Sequence, residues 1–112
     1  MIDFRVGLGY DSHRLIKKDD NDSKPFVLAG IEIPHYKRCV AHSDGDVLLH
    51  SLCDALLGAA ALRDIGTHFP DTDPKYKDID SQILTREVAE MVTNNLAPGT
   101  KMQITITIGK GR

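Results

Sequence analysis

Residues 41–62, AHSDGDVLLHSLCDALLGAAAL, are the longest helix-patterned run in the chain, and the rest of the fold must cover it. Ser43 is placed to act as N-cap, with Asp44 and Asp46 in the first turn, where the helix dipole favours negative charge. Leu48, Leu52, Ala55, Leu56, Ala59 and Leu62 follow helical spacing and are the expected buried stripe. A second helix is expected over 81–95, where Leu84, Val88, Met91 and Val92 recur at i, i+4, i+7 and i+8. Between the two, 63–74 (RDIGTHFPDTDP) breaks every period with Gly, Pro and Asp and reads as a loop.

Strand patterns flank this helical centre. Residues 4–10 (FRVGLGY) alternate loosely, and 26–34 (FVLAGIEIP) form a second run closed by Pro34. After Ala97-Pro98-Gly99, Met102, Ile104, Ile106 and Ile108 alternate with polar residues, the mark of a strand with one buried face. The stretch 17–24 (KKDDNDSK) is all charge and turn formers, a solvated loop. The expected class is α/β, an α+β sandwich with a mixed β-sheet packed against helices in the order β-β-α-α-β. No repeat or linker divides 1–112, which reads as one domain.

Composition narrows the function classes. A chain of 112 residues hides roughly two-thirds of its unfolded surface, enough for a core without staples. A net charge of −2 lacks the basic excess of a nucleic-acid or membrane-surface binder. No apolar run approaches the ~20 residues that cross a bilayer, and the start MIDFRVGLGYDSH lacks the layout of a secretory signal. Cys39 and Cys53 form no CxxC pair and read as reduced, buried small hydrophobes.

Four groups of residues carry chemistry. Asp11 and His13 stand at i and i+2, so in extended chain both point one way. With one more ligand they make a three-ligand cation site, and without it a turn with a half-buried histidine. His50 lies one helical turn after Asp46 and one before Asp54. It is either that third ligand, oriented by Asp46, or a core histidine hydrogen-bonded to Asp46. His42 and Ser43 precede a helix N-terminus, where anions bind readily, although Ser43 also serves as a plain cap and His42 as a surface residue. Asp64-Ile65-Gly66 and Phe69-Pro70-Asp71-Thr72-Asp73 put three acids in one loop, where they bind a cation or sugar hydroxyls or simply build turns. Ser12 occupies the place of the third glycine of a dinucleotide fingerprint, and EF-hand spacing is missing.

Taken together, GLGYDSHRL, LAGIEIP and AHSDGDVLLHSLCDALLGAAALRDIGTHFPDTDP closely resemble, in order and spacing, the N-terminal part of the 2-C-methyl-D-erythritol 2,4-cyclodiphosphate synthase family over residues 5–92. The resemblance implies a lyase of non-mevalonate isoprenoid biosynthesis. Such an enzyme converts 4-diphosphocytidyl-2-C-methyl-D-erythritol 2-phosphate into the cyclic diphosphate and CMP. It implies a divalent cation, usually Zn²⁺, on Asp11, His13 and His50, with Asp46 behind His50. It makes His42 the transition-state stabiliser and His42 with Ser43 the phosphate-positioning pair. Asp64, Ile65, Gly66, Phe69, Pro70, Asp71, Thr72 and Asp73 then line the methylerythritol side. The implied partners are a cytidine diphosphate small molecule and two further copies in a homotrimer, with no nucleic acid and no membrane. The implied compartment is bacterial cytoplasm or a plastid-type organelle.

The likeness weakens through KMQITITIGKGR. The family's cytidine-pocket segment and its Thr-Thr-Glu motif, which supplies a second stabiliser and a Mg²⁺ or Mn²⁺ ligand, find no match. The expectation is a C-terminally incomplete domain that binds metal and turns over poorly. Two rivals stand beside the cyclase: a zinc-dependent phosphohydrolase using metal-bound water, and a non-catalytic metal-stabilised subunit.

Overall fold

The computed structural model describes residues 4–17, 25–35, 37–40 and 43–109. The expectations for 18–24, for His42 and for the Cys39 side chain lie outside the described residues. Strands β1 (Arg14–Lys17), β2 (Val27–Leu28), β3 (Ile31–Glu32) and β4 (Lys37–Val40) precede helices α1 (Val47–Ala59), α2 (Ile65–His68) and α3 (Ser81–Asn94). A 3₁₀ turn, Pro74–Tyr76, lies between α2 and α3. The class is α/β as expected. Pairing among the described residues is confined to two antiparallel ladders, β1 with β4 and β2 with β3.

The run 26–34 is not one strand but a hairpin. Ala29 and Gly30 both take positive φ, 53° and 78°, the conformation a two-residue primed turn needs. Leu28 pairs with Ile31, and the Ile33 N–H donates to the Phe26 carbonyl at 2.7 Å. The turn turns its N–H groups inward, onto a carboxylate. Ala29 N–H and Gly30 N–H donate to Asp46 at 3.1 and 2.7 Å.

That same carboxylate starts α1. Asp46, rather than Ser43, is the N-cap, accepting the Leu49 N–H at 3.0 Å. The side chain is fully buried, and its charge is tolerated because three backbone donors surround it. A capping aspartate here fixes the helix start and the hairpin position together.

The core lies between α1 and α3. Cys53, Leu57 and Ala60 meet Leu84, Val88 and Val92, with Phe69 from the end of α2. The stripe on α3 is the expected one. On α1 the buried residues are Leu49, Cys53 and Leu57, about 100° round the helix from the expected Leu48–Leu52–Leu56 row. The reason is that α1 is apolar on nearly every side, so spacing does not choose a phase. Its second face is covered by residues 4–10. These run along it without strand pairing, with Phe4, Val6, Leu8 and Tyr10 turned outward and over 80% exposed. Residues 101–109 likewise carry the alternating pattern without a partner strand and are exposed. The loop 63–74 contains α2, which Asp64 caps through Thr67 N–H at 2.8 Å, and Asp73 caps the 3₁₀ turn through Lys75 N–H at 3.0 Å.

Replacing Asp46 removes a helix cap and orphans two turn donors. Asp46→Ala is expected to lower stability by about 3 kcal/mol, a cap at ~1 plus ~1 for each of the two partly buried turn donors left without an acceptor. Asp46→Asn, which keeps one acceptor oxygen, should lose less. Urea midpoints of the two variants check the order.

Candidate metal centre

The site is placed by parity. Gly7, Gly9, Asp11 and His13 are all partly covered, while residues 8, 10 and 12 face outward. The inward side lies on α1 at backbone contact. A Cβ on Gly7 would sit 1.8 Å from the Ala55 carbonyl oxygen, and one on Gly9 would sit 1.7 Å from that of Ser51. The segment therefore runs antiparallel to the helix. Two residues of extended chain advance ~6.6 Å, and one helical turn advances ~5.4 Å. The segment thus steps one turn per residue pair, and the next pair brings Asp11 and His13 to His50.

Three ligand-capable atoms meet there. Asp11 Oδ2 lies 2.8 Å from His13 Nε2 and 3.2 Å from His50 Nδ1. The two ring nitrogens are 3.2 Å apart, with the rings edge to face. A tetrahedral cation with bonds of ~2.0–2.2 Å holds its ligand atoms ~3.3 Å apart. The observed triangle has nearly that size, and an Asp/His/His donor set suits zinc chemistry, so these residues fit a divalent cation. Partial burial pushes the Asp11 carboxyl up, but the His13 and His50 rings beside it outweigh that and hold it well below the usual carboxylate range.

Asp46 does not stand behind His50. Its oxygens are taken by the Leu49, Ala29 and Gly30 N–H groups, and only its backbone carbonyl meets the His50 backbone N–H, at 3.0 Å. One turn away on a helix is close enough for contact, but the cap rotates the carboxylate toward the hairpin. Instead, His50 Nε2 lies 2.7 Å from Ser81 Oγ and 3.2 Å from Ser43 Oγ. Ser81 was not among the residues singled out from the sequence. In the sequence it marks only the start of the second helix, and the meeting of α1 with α3 is what brings it to His50. Asp54, on the same face, accepts the Ile65 N–H at 2.7 Å and ties α1 to α2, and burial pushes its carboxyl up.

A cavity of about 470 Å³ opens beside the triangle. His13, His50 and Ser43 form one side, and Ile65, Gly66, Phe69, Pro70 and Asp71 the facing wall. Tyr76 and Ile79, which the sequence did not single out, also line it, as does Leu84 of the α3 row, with Tyr76 edge-on to Phe69 at 5.4 Å. Asp64, Thr72 and Asp73 do not line it. Asp64 is exposed, and its hydrogen bonds to Thr67 lower its carboxyl pKa.

The pattern of the YgbB family matches residues 4–112. A Methylococcus capsulatus protein named 2-C-methyl-D-erythritol 2,4-cyclodiphosphate synthase is 58% identical over 91 residues, which is 81% of this chain and 54% of that protein. A solved structure of a 2C-methyl-D-erythritol-2,4-cyclodiphosphate synthase matches with a TM-score of 0.71 and 46% identity, over 80% of this chain and 57% of the other. A CDP-bound synthase structure matches with a TM-score of 0.70 and 44% identity, over 80% and 57% of the two chains. The chain spans about half the length of the curated relatives it matches.

The glycine contact makes a sharp expectation. Gly9→Ala should push the segment off α1 and weaken cation binding by ~10-fold or more, the scale for losing an orienting contact. Gly58→Ala, with nothing within 4 Å of the added methyl, should leave it unchanged. Calorimetric titration with Zn²⁺ reads both.

Proposed function

We propose, from the premise that this chain belongs to the YgbB family, that it is the metal- and phosphate-handling part of a 2-C-methyl-D-erythritol 2,4-cyclodiphosphate synthase. The observation that carries this reading is the convergence of Asp11, His13 and His50 at the edge of a cavity that Ser43 also lines. Among the described residues no helix is long and apolar enough to cross a membrane. Bacterial cytoplasm or a plastid-type organelle is the compartment we assign.

The reaction is a ring closure. An oxygen of the substrate's 2-phosphate bonds to the β-phosphorus, the bond from that phosphorus to the bridging oxygen breaks, and CMP leaves with the electron pair. Little covalent work falls to the protein, which must align the phosphates and stabilise their charge. A divalent cation on Asp11, His13 and His50, zinc by its donor set, supplies Lewis-acid neutralisation at a phosphate oxygen. Ser43, at the cavity wall, donates its hydroxyl to a phosphate oxygen. His42, which precedes Ser43 in the sequence, takes the role of transition-state stabiliser. Phe69 and Pro70 offer apolar surface to the methylerythritol carbons and exclude water. Ile65, Gly66 and Asp71 complete that wall. Asp64, Thr72 and Asp73 belong to the same loop, which we assign to the boundary with a second subunit of a homotrimer. A second cation, Mg²⁺ or Mn²⁺, belongs to the same reading.

Incubation with 4-diphosphocytidyl-2-C-methyl-D-erythritol 2-phosphate, Zn²⁺ and Mg²⁺, followed by ³¹P NMR, separates the readings. Cyclic diphosphate with CMP is expected, formed far more slowly than by a full-length family enzyme, and His50→Ala should reduce it by a further ~10²-fold, the scale for removing one charge-stabilising group. Free phosphate as the product would instate the phosphohydrolase. Stoichiometric zinc without turnover would instate the non-catalytic subunit. Light scattering should give a trimer, and a monomer at micromolar concentration counts against that part of the proposal.

A further inference from the structure

The His50 nitrogen that faces away from Asp11 and His13 is held by a partly buried chain of hydrogen bonds. Ser81, 1% exposed, places its Oγ 2.7 Å from Nε2. The same Oγ lies 2.5 Å from Asp44 Oδ1, and the Ser81 backbone N–H donates to Asp44 Oδ2 at 2.8 Å. Asp44 is fixed in turn: its Oδ1 accepts the Asp46 N–H at 3.0 Å, and its own N–H donates to the Ile79 carbonyl at 3.2 Å. This is more than a helix cap, because Asp80 already caps α3 through the Gln82 N–H at 2.9 Å.

The direction of each hydrogen follows from the partners. A carboxylate has none to give, so the Ser81 hydroxyl hydrogen goes to Asp44. Ser81 Oγ then has only lone pairs left for His50, and a 2.7 Å contact requires that Nε2 carry the hydrogen. In a neutral imidazole Nδ1 is then bare, and its lone pair lies at the corner shared with Asp11 and His13, where it can accept only the His13 Nε2–H, at 3.2 Å. Ser43 Oγ, at 3.2 Å, is a second and longer acceptor for the same N–H.

We propose that Ser81 and Asp44 are positioning residues that lock His50 in its Nε2–H tautomer and aim Nδ1 at the cation. The proposal rests on the metal reading of Asp11, His13 and His50 given above. It couples the first residue of α3 to a ligand on α1, so the packing of the two helices sets the donor direction.

Co²⁺ titration of the whole chain, followed by its visible spectrum, tests the coupling in wild type, Ser81→Ala and Asp44→Asn. Wild type is expected to take up one equivalent. Both variants should bind ~10–100-fold more weakly, the cost of losing a group behind a metal-bound histidine, with a changed visible band. Metal-free wild type should show a slowly exchanging His50 Nε2–H signal in ¹H–¹⁵N spectra, and Ser81→Ala should lose it. If Ser81→Ala fails to fold by circular dichroism, Asp44→Asn, which keeps an acceptor oxygen and its size, carries the same readouts. Unchanged affinity and spectrum in the folded variants overturn this inference and leave the metal reading intact. Wild type that takes up no Co²⁺ overturns the metal reading, and this inference with it.

Discussion

The backbone of Gly7 and Gly9 pressed against α1 is the constraint on which the candidate site depends. A methyl at either position would stand under 2 Å from a carbonyl oxygen, so only glycine allows the approach. Once the segment lies at that depth, the alternation of extended chain does the rest. Asp11 and His13 follow on the inward side and meet His50 without any strand pairing to hold them. The contact also explains why α1 is apolar nearly all round: α3 covers one face and this segment another.

Two aspartates that precede α1 divide the task of anchoring its start. Asp46 binds backward to the Ala29–Gly30 turn and forward to Leu49. Asp44 binds across to Ser81 and the N-terminus of α3. Each has its oxygens aimed at backbone or hydroxyl hydrogens, and no buried side-chain polar atom lacks a partner among the described residues. Lone carboxylates in such places would be costly. Here they substitute for the water that the two helices exclude.

What the sequence made legible follows local rules. The i, i+2 relation of Asp11 and His13, the two long helices and the apolar row on α3 are consequences of period alone. His50 and the loop residues 64–66 and 69–73 stood open between two readings, and the resemblance turned them toward a ligand and a substrate-side wall. The failures are non-local. Residues 4–10 and 101–109 have strand spacing, but a strand needs a neighbour, and neither pattern says which segment that is. The turn at Ala29–Gly30 hid inside an apolar run because its positive φ is stabilised by Asp46, far along the chain. The phase of α1 was unreadable because apolar residues occupy nearly every side. Ser81 needed the α1–α3 contact to be seen at all.

The candidate ligands also have a polymer consequence. His13 and His50 are 37 residues apart in sequence yet their nitrogens are 3.2 Å apart in space. An ion bridging them ties off a loop of that length, much as a disulfide would. Closing such a loop removes unfolded-state freedom worth on the order of 4 kcal/mol. A cation in this position is therefore a reversible cross-link, and the chain's compactness becomes a function of its metal supply.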